Sequence, residues 1–279
     1  MKNLDLMSAL KDKVILITGA SSGIGEALAI EAASRGAKIM LAARNIEKLK
    51  LLAEKLQAKG VEVHFAKADV SQEADCENLI AETLKYFQKI DVLINNAGIS
   101  MRALFNDANL SVIKQVMETN FWGTVYCTKY ALPHLLKQRG SVSAVSSVGG
   151  LNGLPGRTGY SASKFAIRGF MESLRIENLH TGLHVLMAFP GFTASNIRNT
   201  ALVADGSQQG ESPRNEAKMM TAEAVARHIL NAIEKRKRTI LLTNTGKLTV
   251  LLNKFWPKLA DKLVFNHMAS EPDSPFLKK

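Results

Sequence analysis

The chain has 279 residues, 46% of them hydrophobic, and a formal net charge of +11, so it can bury the core of one large α/β domain. Its two cysteines, Cys76 and Cys127, lie far apart without CxxC or Cys/His spacing, which argues against a disulfide framework and a structural zinc site. Because the sequence shows no signal-peptide core and no run of about 18 apolar residues, we expect a cytoplasmic protein.

The positive charge makes nucleic acid and anionic membranes candidate partners. Most of the basic residues are dispersed, with one local cluster at 235–238, and aromatic residues make up only 6% of the chain. Few aromatic side chains are therefore present to stack on bases, and nucleic-acid binding is disfavoured.

Short aliphatic runs alternate along the chain with longer segments of helical period. The predicted strands cover residues 14–18, 38–42, 61–66, 92–95, 141–146 and 184–189, with a seventh candidate at 239–243. Several runs are apolar throughout, which is typical of parallel strands covered on both faces. The segments between them repeat apolar residues every three or four positions. This order predicts an α/β fold with a doubly wound parallel sheet, helices on both faces and a single domain over residues 1–279.

Two later segments depart from this alternation. Residues 191–220 are rich in Ser, Asn, Gln and Gly, which predicts a mobile excursion beside the ligand site. The C-terminal extension, residues 244–279, mixes apolar residues and lysines at near-helical spacing, interrupted by Pro257. Packing against the core or another subunit is favoured for it, while covering the pocket or peripheral contact with an anionic membrane stays open.

The sequence TGASSGIG, residues 18–25, joins the first predicted strand to the first helix. Gly19 can adopt a backbone conformation that other residues resist, while Gly23 and Gly25 leave room for a pyrophosphate and for close helix–strand packing. Backbone N–H groups at the helix start would face the phosphates. A plain structural turn is the alternative, and the spacing differs from the usual G-x-G-x-x-G. Its position after the first strand favours dinucleotide binding.

Tyr160 and Lys164 are four residues apart in a predicted helix and therefore share one face. A nearby positive charge favours the phenolate and lowers the pKa of the tyrosine towards physiological pH. The same spacing also occurs on solvated helices. Ser147, at the end of a predicted strand, and Asn120 favour a catalytic interpretation when they are combined with the glycine turn.

Several further motifs follow in a characteristic order: DV at 69–70, NNAG at 95–98, Asn120, SS at 146–147, YSASK at 160–164 and PG at 190–191. With the glycine turn, they closely resemble the short-chain dehydrogenase/reductase family over roughly residues 10–240, which implies a Rossmann-type sheet. The stretches GRTGYSASKFAIRGF and PGFTASNI look most like the branch containing 11β-hydroxysteroid dehydrogenase and dehydrogenase/reductase member 7.

The resemblance implies a reversible reduction of a carbonyl to an alcohol. Tyr160 would exchange the proton, Ser147 would hydrogen-bond the substrate oxygen, and Lys164 would hold the nicotinamide ribose. Asn120 would position a water beside Lys164. The pocket is expected to be lined partly by residues 100–104, 149–155 and the segment after Gly191. The apolar side chains there, Met101, Leu151, Leu154 and Phe192, favour an apolar ketone, aldehyde or secondary alcohol. A nucleotide-sensing or scaffolding protein of the same fold is the alternative, although such a protein needs no proton path.

The resemblance also implies the cofactor and its contacts. Ala43 occupies the position at which NAD-preferring relatives carry aspartate, and the following Arg44 can pair with a 2′-phosphate, so we expect NADP(H). Ser22 stands where relatives often have a second basic residue. The family also implies a homodimer or homotetramer. The expected cofactor contacts are Gly19, Ser21, Ser22, Gly23, Ile24, Gly25, Arg44, Asp69, Val70, Asn96, Ala97, Gly98, Tyr160, Lys164, Pro190, Gly191, Thr193 and Ser195.

Overall fold

A single parallel sheet organises the fold in the computed structural model, which describes residues 8–216 and 219–276. Its strands follow the order β3-β2-β1-β4-β5-β6-β7. Their bounds are β1 Val14–Thr18, β2 Lys38–Ala43, β3 Val63–Lys67, β4 Val92–Asn95, β5 Ser141–Val145, β6 His184–Phe189 and β7 Thr239–Leu241. The predicted fold class is confirmed.

Helices connect the strands and cover both faces of the sheet. They are α1 Gly23–Ser34, α2 Ile46–Gln57, α3 Glu73–Phe87, α4 Leu110–Met117, α5 Gly123–Lys137, α6 Thr158–Glu177, α7 Ala222–Glu234, α8 Asn244–Phe255 and α9 Pro257–Ala269. A π-helical turn at Glu118–Trp122 joins α4 to α5, and a 3-10 turn at Val148–Gly150 follows β5.

Alternate residues of β1 serve the two faces of the sheet. Ile15 and Ile17 pack into a core with α1, α2 and α7, whereas Val14 and Leu16 pack into a second core with α3, α5 and α6. Both sets are fully buried because the strand is covered on both sides. This placement explains why the run VILIT carries no polar alternation.

The ends of four strands differ from the prediction: β2 runs one residue further, to Ala43, and β3, β5 and β7 differ for local reasons. The predicted third strand begins at residue 61, but the Val61 N–H donates to the Leu56 carbonyl and completes the turn that ends α2. The seventh strand stops at Leu241 because Thr243 caps α8, its side chain accepting from the Gly246 N–H. β5 ends at Val145, which leaves Ser146 and Ser147 in the loop beyond the sheet.

The strand order reverses between β1 and β4. From β1 the chain adds β2 and β3 on one side of the sheet, and it then adds β4 to β7 on the other side. β1 pairs with β2 on one side and with β4 on the other. Ligands of open parallel sheets bind beyond the carboxyl ends of such neighbouring strands. Here those ends lead directly into Gly19 and Asn96.

The two later segments lie beyond the same edge of the sheet. Within 191–220, Thr193 pairs with Met220 and Leu202 pairs with both Met101 and Gln208 as isolated bridges. The predicted mobility of this segment stays a prediction, and residues 217–218 lie outside the described residues, as do 1–7 and 277–279 of the predicted domain. Pro257 is the first residue of α9. Proline is well tolerated there, because the N–H at the first position of a helix has no partner within the helix. Within the described ranges, no helix has the length and apolar character needed to span a membrane.

Candidate active site

The glycine turn has the backbone that its residues predict. Gly19 and Gly23 have φ values of +66° and +57°, a region that residues with a Cβ rarely adopt. A Cβ on Gly19 would lie 2.8 Å from the Ala97 Cα, and one on Gly25 would lie 2.2 Å from the Gly19 carbonyl oxygen. Gly19, Ser21, Ser22, Gly23 and Ile24 line the large cavity above the sheet. Gly25 does not line it and instead permits close packing beneath the turn.

Asn96, which directly follows β4, stabilises this turn through hydrogen bonds. Its side-chain amide donates to the Thr18 and Gly19 carbonyl oxygens at 2.9 and 3.3 Å. The Thr18 hydroxyl in turn accepts from the Asn96 and Ala97 N–H groups, both at 3.1 Å. Asn96, Ala97 and Gly98 all line the cavity, as predicted, but the Asn96 amide is committed to the turn.

Charged and polar residues line the cavity beyond β2 and β3. Arg44, Asp69 and Val70 are present there, and the Arg44 Nη1 lies 4.0 Å from the Asp69 Oδ2. Asp69 Oδ1 accepts from the Ser71 N–H at 3.0 Å, which orients the carboxylate. Lys48, one turn into α2, lines the same region and is a second cation beside Arg44 that the sequence reasoning missed. The sequence does contain a signal for it, because Lys48 follows Arg44 by four residues and this spacing can bring two side chains to the same side at the start of a helix.

The segment after β6 closes over the glycine turn. Pro190, Gly191, Thr193 and Ser195 line the cavity, and a Cβ on Gly23 would lie 3.1 Å from the Ser195 Cβ. The Thr193 hydroxyl donates to the Gly191 carbonyl oxygen at 3.2 Å. All four predicted contacts in this segment therefore line the cavity, and Ser195 lies against the turn itself.

Ser147, Tyr160 and Lys164 line the same cavity as the glycine turn. Ser147 begins the 3-10 turn, its hydroxyl oxygen accepting from the Gly149 N–H at 3.1 Å. Tyr160 and Lys164 lie on successive turns of α6, with the lysine Nζ 5.7 Å from the tyrosine ring centroid. The Lys164 Nζ also donates to the Val145 carbonyl oxygen at 3.0 Å. The three predicted groups therefore converge from β5 and α6.

The protonation of this pair is governed by burial. Burial raises the pKa of Tyr160 above its ordinary value of 10.0, although a hydrogen bond with Ser147 and the charge of Arg157 act in the lowering direction. Burial also lowers the pKa of Lys164 to about 8. The lowered tyrosine pKa predicted from the four-residue spacing is wrong for this structure, because desolvation of the phenolate outweighs the Ser147 hydrogen bond and the charge of Arg157.

Asn120 lies in the π-helical turn, directly behind the cavity. It is fully buried and does not line the cavity. Its Oδ1 accepts from the Ile99 N–H at 2.8 Å, and its amide donates to the Ser163 hydroxyl at 2.9 Å. A Cβ on Gly98 would lie 3.1 Å from the Asn120 Oδ1 and 3.4 Å from the Lys164 Nζ. Asn120 thus positions the wall between β4 and α6, at a π turn of the kind often found at functional sites.

The cavity has a volume of about 1310 Å³ and extends from Arg44 past Tyr160 to the C-terminal helices. Ser100, Leu154 and Phe192 line it as expected, whereas Met101 and Leu151 pack into cores instead. Residues from α8, α9 and the segment that follows complete the wall, and they include Leu248, Leu252, Leu263, His267 and Glu271. The C-terminal extension covers the pocket, whereas the sequence favours packing against the core or another subunit.

Three charged residues of this wall escaped the sequence reasoning. Arg157 and Arg214 both pair with Glu271, at 3.3 and 2.6 Å. The pairs join positions 114 and 57 residues apart, so no local spacing signals them. Only the fold brings them together.

Comparison with known proteins places this geometry in a family. The sequence profile described as "short chain dehydrogenase" matches residues 13–204. The chain belongs to the short-chain dehydrogenase family. The matched stretch contains the glycine turn, Ser147, Tyr160 and Lys164, all of which line one cavity.

Curated relatives extend the similarity towards the C-terminus. The 11-beta-hydroxysteroid dehydrogenase-like 4A of Arabidopsis thaliana is 40% identical over 219 residues, covering 78% of this chain and 73% of the relative. The dehydrogenase/reductase SDR family member 7B of Bos taurus is 35% identical over 279 residues, covering 97% and 86%. Both branch names agree with the resemblance of the α6 motif.

Two solved dehydrogenases share the fold. An enzyme of the family from Burkholderia phymatum, solved in complex with NAD, has a TM-score of 0.81 and 26% identity over 90% of this chain and 95% of its own. An alcohol dehydrogenase from Thermococcus sibiricus, complexed with 5-hydroxy-NADP, has a TM-score of 0.73 and 24% identity over 83% and 96%. The chain is an oxidoreductase of a family that binds nicotinamide nucleotides.

Proposed function

We propose that the protein interconverts a carbonyl compound and an alcohol with NADP(H) as cofactor. In the reducing direction, a ketone or aldehyde, NADPH and one proton give the alcohol and NADP⁺. The observation that carries this proposal is the convergence of Ser147, Tyr160 and Lys164 on the cavity that begins at the glycine turn.

The residues present fit a dinucleotide. A Cβ on Gly19, Gly23 or Gly98 would come close to neighbouring atoms of the glycine turn and the cavity wall. Glycine at these three positions therefore keeps this part of the cavity open. The bound nicotinamide would supply or accept the hydride. Tyr160, largely protonated because burial raises its pKa, donates its proton to the substrate oxygen during reduction. Ser147 hydrogen-bonds that oxygen as negative charge develops, and Lys164 holds the nicotinamide ribose.

Replacing Tyr160 with phenylalanine tests this role directly. Tyr160→Phe keeps the ring but removes the proton, so carbonyl turnover should fall by about a hundredfold to ten-thousandfold. NADPH binding should persist. Tyr130→Phe is the matched control, since its hydroxyl pairs with Glu73 outside the cavity. Equal turnover in Tyr160→Phe and the native protein would refute the assignment; NADPH binding without turnover of any carbonyl in a broad screen would favour a sensing role.

Preference for the phosphorylated nucleotide is supported by the cations beyond β2. Ala43 offers no carboxylate to the ribose, while Arg44 and Lys48 line the cavity there. In Arg44→Gln, we expect kcat/KM for NADPH to fall by about tenfold or more, since charged hydrogen bonds to a phosphate are lost. The value for NADH should stay the same. Lys50→Gln, an exposed change on α2 outside the cavity, is the control; equal losses in the two variants would exclude a phosphate contact.

We also propose that the protein is a cytoplasmic homo-oligomer whose substrate has an apolar body. The unpaired, buried thiols of Cys76 and Cys127 are compatible with a reducing compartment. Leu248, Leu252 and Leu263 in the cavity wall support an apolar substrate. Microscopy of a fluorescent fusion tests the location.

A further inference from the structure

Three arginines surround one carboxylate at the end of the cavity formed by the C-terminal helices. The Arg102 Nε and the Arg157 Nη2 each lie 3.3 Å from the Glu271 Oε2, and the Arg214 Nε donates to Oε1 at 2.6 Å. We call Arg102, Arg157 and Arg214 the arginine cluster. All three are well buried, and the Glu271 side chain is 3% exposed.

The arginine cluster carries more positive charge than its surroundings neutralise. Among the described residues, Glu271 is the one acid that pairs with it, which leaves an excess of two positive charges. The remaining contacts are uncharged groups. The Arg102 Nη2 donates to the Pro272 carbonyl oxygen at 2.7 Å, and the Arg214 Nη1 lies 3.0 Å from the His267 Nε2. Arg157 and Arg214 approach the Met268 sulfur at 3.9 and 3.6 Å, and Arg214 lies 3.7 Å above the Phe192 ring. The buried Arg102 Nε makes no hydrogen bond of good geometry. Three buried guanidinium groups around one carboxylate favour the binding of a further anion, which would balance the excess positive charge.

The cluster borders the space that the substrate must occupy. Arg157, Arg214 and Glu271 line the cavity together with Tyr160. Arg157 precedes Tyr160 by three residues at the start of α6, and its charge acts on the phenol. A molecule that presents its carbonyl to Tyr160 therefore extends towards guanidinium groups at one end of the cavity.

Apolar side chains share the wall with the cluster. Leu154 comes from the loop before α6, Leu248 and Leu252 come from α8, and Leu263 comes from α9. The wall thus combines an apolar surface with a cationic end, which is complementary to an amphipathic molecule.

We propose that the arginine cluster binds an anionic group of the substrate, so that the substrate is an apolar carbonyl compound carrying a carboxylate or a phosphate. Guanidinium groups match both anions through paired N–H donors. This inference rests on the proposed function for the carbonyl, but the anion site itself is measurable by binding alone.

Isothermal titration of the full chain with decanoate, decyl phosphate and decanol tests the proposal. The three probes share one alkyl chain and differ in the head group. At least one anion should bind about tenfold or more tightly than decanol, and the tighter anion assigns carboxylate or phosphate. Arg214→Gln should remove that preference. Arg227→Gln, an exposed change on α7 away from the cavity, removes the same charge and should retain it.

Glu271→Gln gives the opposite expectation. It removes the internal counter-charge, so the affinity for the preferred anion should rise by about tenfold while that for decanol stays unchanged. If Glu271→Gln fails to fold, the comparison of Arg214→Gln with Arg227→Gln decides alone.

Equal binding of the anions and decanol, or equal losses in Arg214→Gln and Arg227→Gln, would overturn the proposal. In that case the arginine cluster holds Glu271 and no ligand. Reduction of decanal with NADPH reports separately on the proposed function, because decanal carries no anion. Turnover of decanal without anion preference would refute the inference alone, and anion binding without any carbonyl turnover would refute the proposed function alone.

Discussion

Tyr160 and Lys164 are both buried, and burial shifts their pKa values in opposite directions. Burial keeps the phenol protonated and weakens the hold of the lysine on its proton. At neutral pH the pair therefore combines a protonated acid with an ammonium group whose pKa is only about 8. The acidic partner is ready to donate, which suits the reducing direction of the proposed reaction.

The lysine pKa makes stability depend on pH. In the unfolded chain the ammonium regains its ordinary pKa of 10.5, so between about 8 and 10.5 the folded state binds fewer protons. The free energy of unfolding should therefore rise with pH, by about 2 kcal/mol from about pH 7 to about pH 9.5. Lys164→Met should abolish the rise.

Urea unfolding at the two pH values measures this difference. The exposed Lys129 on α5 provides the matched control, Lys129→Met, which should keep the rise. An identical pH dependence in both variants would show that other groups cause it.

Residue identities at the site followed from the sequence, whereas their electrostatics did not. The spacing of Tyr160 and Lys164 places them on one face of a helix, and the coordinates bring both to the cavity. The direction of the shift in the Tyr160 pKa depends on total burial, to which the segment after β4, helix α4 and the segment after β6 all contribute. Spacing along one helix carries no information about such surroundings.

At the scale of elements, the glycine turn links β1 to α1 at the reversal of strand order. Its conformation is fixed by hydrogen bonds with the residues that directly follow β4: the Asn96 side-chain amide donates to the Thr18 carbonyl oxygen, and the Thr18 hydroxyl accepts from the Ala97 N–H. Gly25 determines how closely α1 approaches this turn. Cofactor binding and helix packing therefore depend on the same few backbone atoms.

The substitution Gly25→Ala should disturb both cofactor binding and the packing of α1 against the turn. The added Cβ would lie 2.2 Å from the Gly19 carbonyl oxygen and 2.6 Å from the Asn96 amide nitrogen, so the turn must shift. We expect a loss of about 1–3 kcal/mol in the free energy of unfolding, together with greatly weakened NADPH binding. Chemical denaturation and nucleotide fluorescence measure the two effects.

Gly153→Ala is the control, because a Cβ there has no atom within 4 Å. It should leave both properties unchanged. Native-like NADPH binding by Gly25→Ala would show that the close approach of α1 is dispensable.

Element order was predictable because parallel strands buried on both faces leave continuous apolar runs. β1, β4 and β6 have the predicted bounds. The deviations at β3, β5 and β7 arise where turns and caps take backbone groups from the strand ends, as Thr243 does for α8. Such competition depends on hydrogen bonds formed only after the neighbouring element is in place.

At the scale of the whole molecule, an exposed apolar row on α6 supports the proposed oligomer. Phe165 and Ile176 are 42% and 62% exposed, and a Cβ on Gly169 between them would have no neighbour within 4 Å. The row is therefore open to close approach by a second subunit. α8 and α9 also expose apolar side chains, including Leu251 at 51%.

Ile176→Glu should convert the oligomer into smaller species, because a carboxylate would be buried without a partner at the interface. Size-exclusion chromatography with light scattering gives the mass. Leu251→Glu on α8 is the control and should keep the native assembly. The reverse result would place the interface on the C-terminal helices.

Long-range arrangement was the least predictable property. The C-terminal stretch has the same apolar and lysine pattern whether it packs in an interface, lies on a membrane or covers a pocket. Its place over the cavity follows from contacts such as Arg214 with Glu271, which span 57 residues. Pairings of this kind are decided by the folded chain and leave no periodic signal.

The family profile ends at residue 204, while Arg214, Leu248, Leu252, Leu263 and Glu271 all follow it. These five residues lie beyond the matched stretch, whereas Leu154 and Arg157 of the same wall lie within it. The part of the proposed substrate wall beyond residue 204 can therefore be exchanged while the glycine turn, Ser147, Tyr160 and Lys164 stay unchanged. A chimera that receives its residues beyond 204 from a relative should inherit that relative's substrate range while retaining the nucleotide preference of this chain.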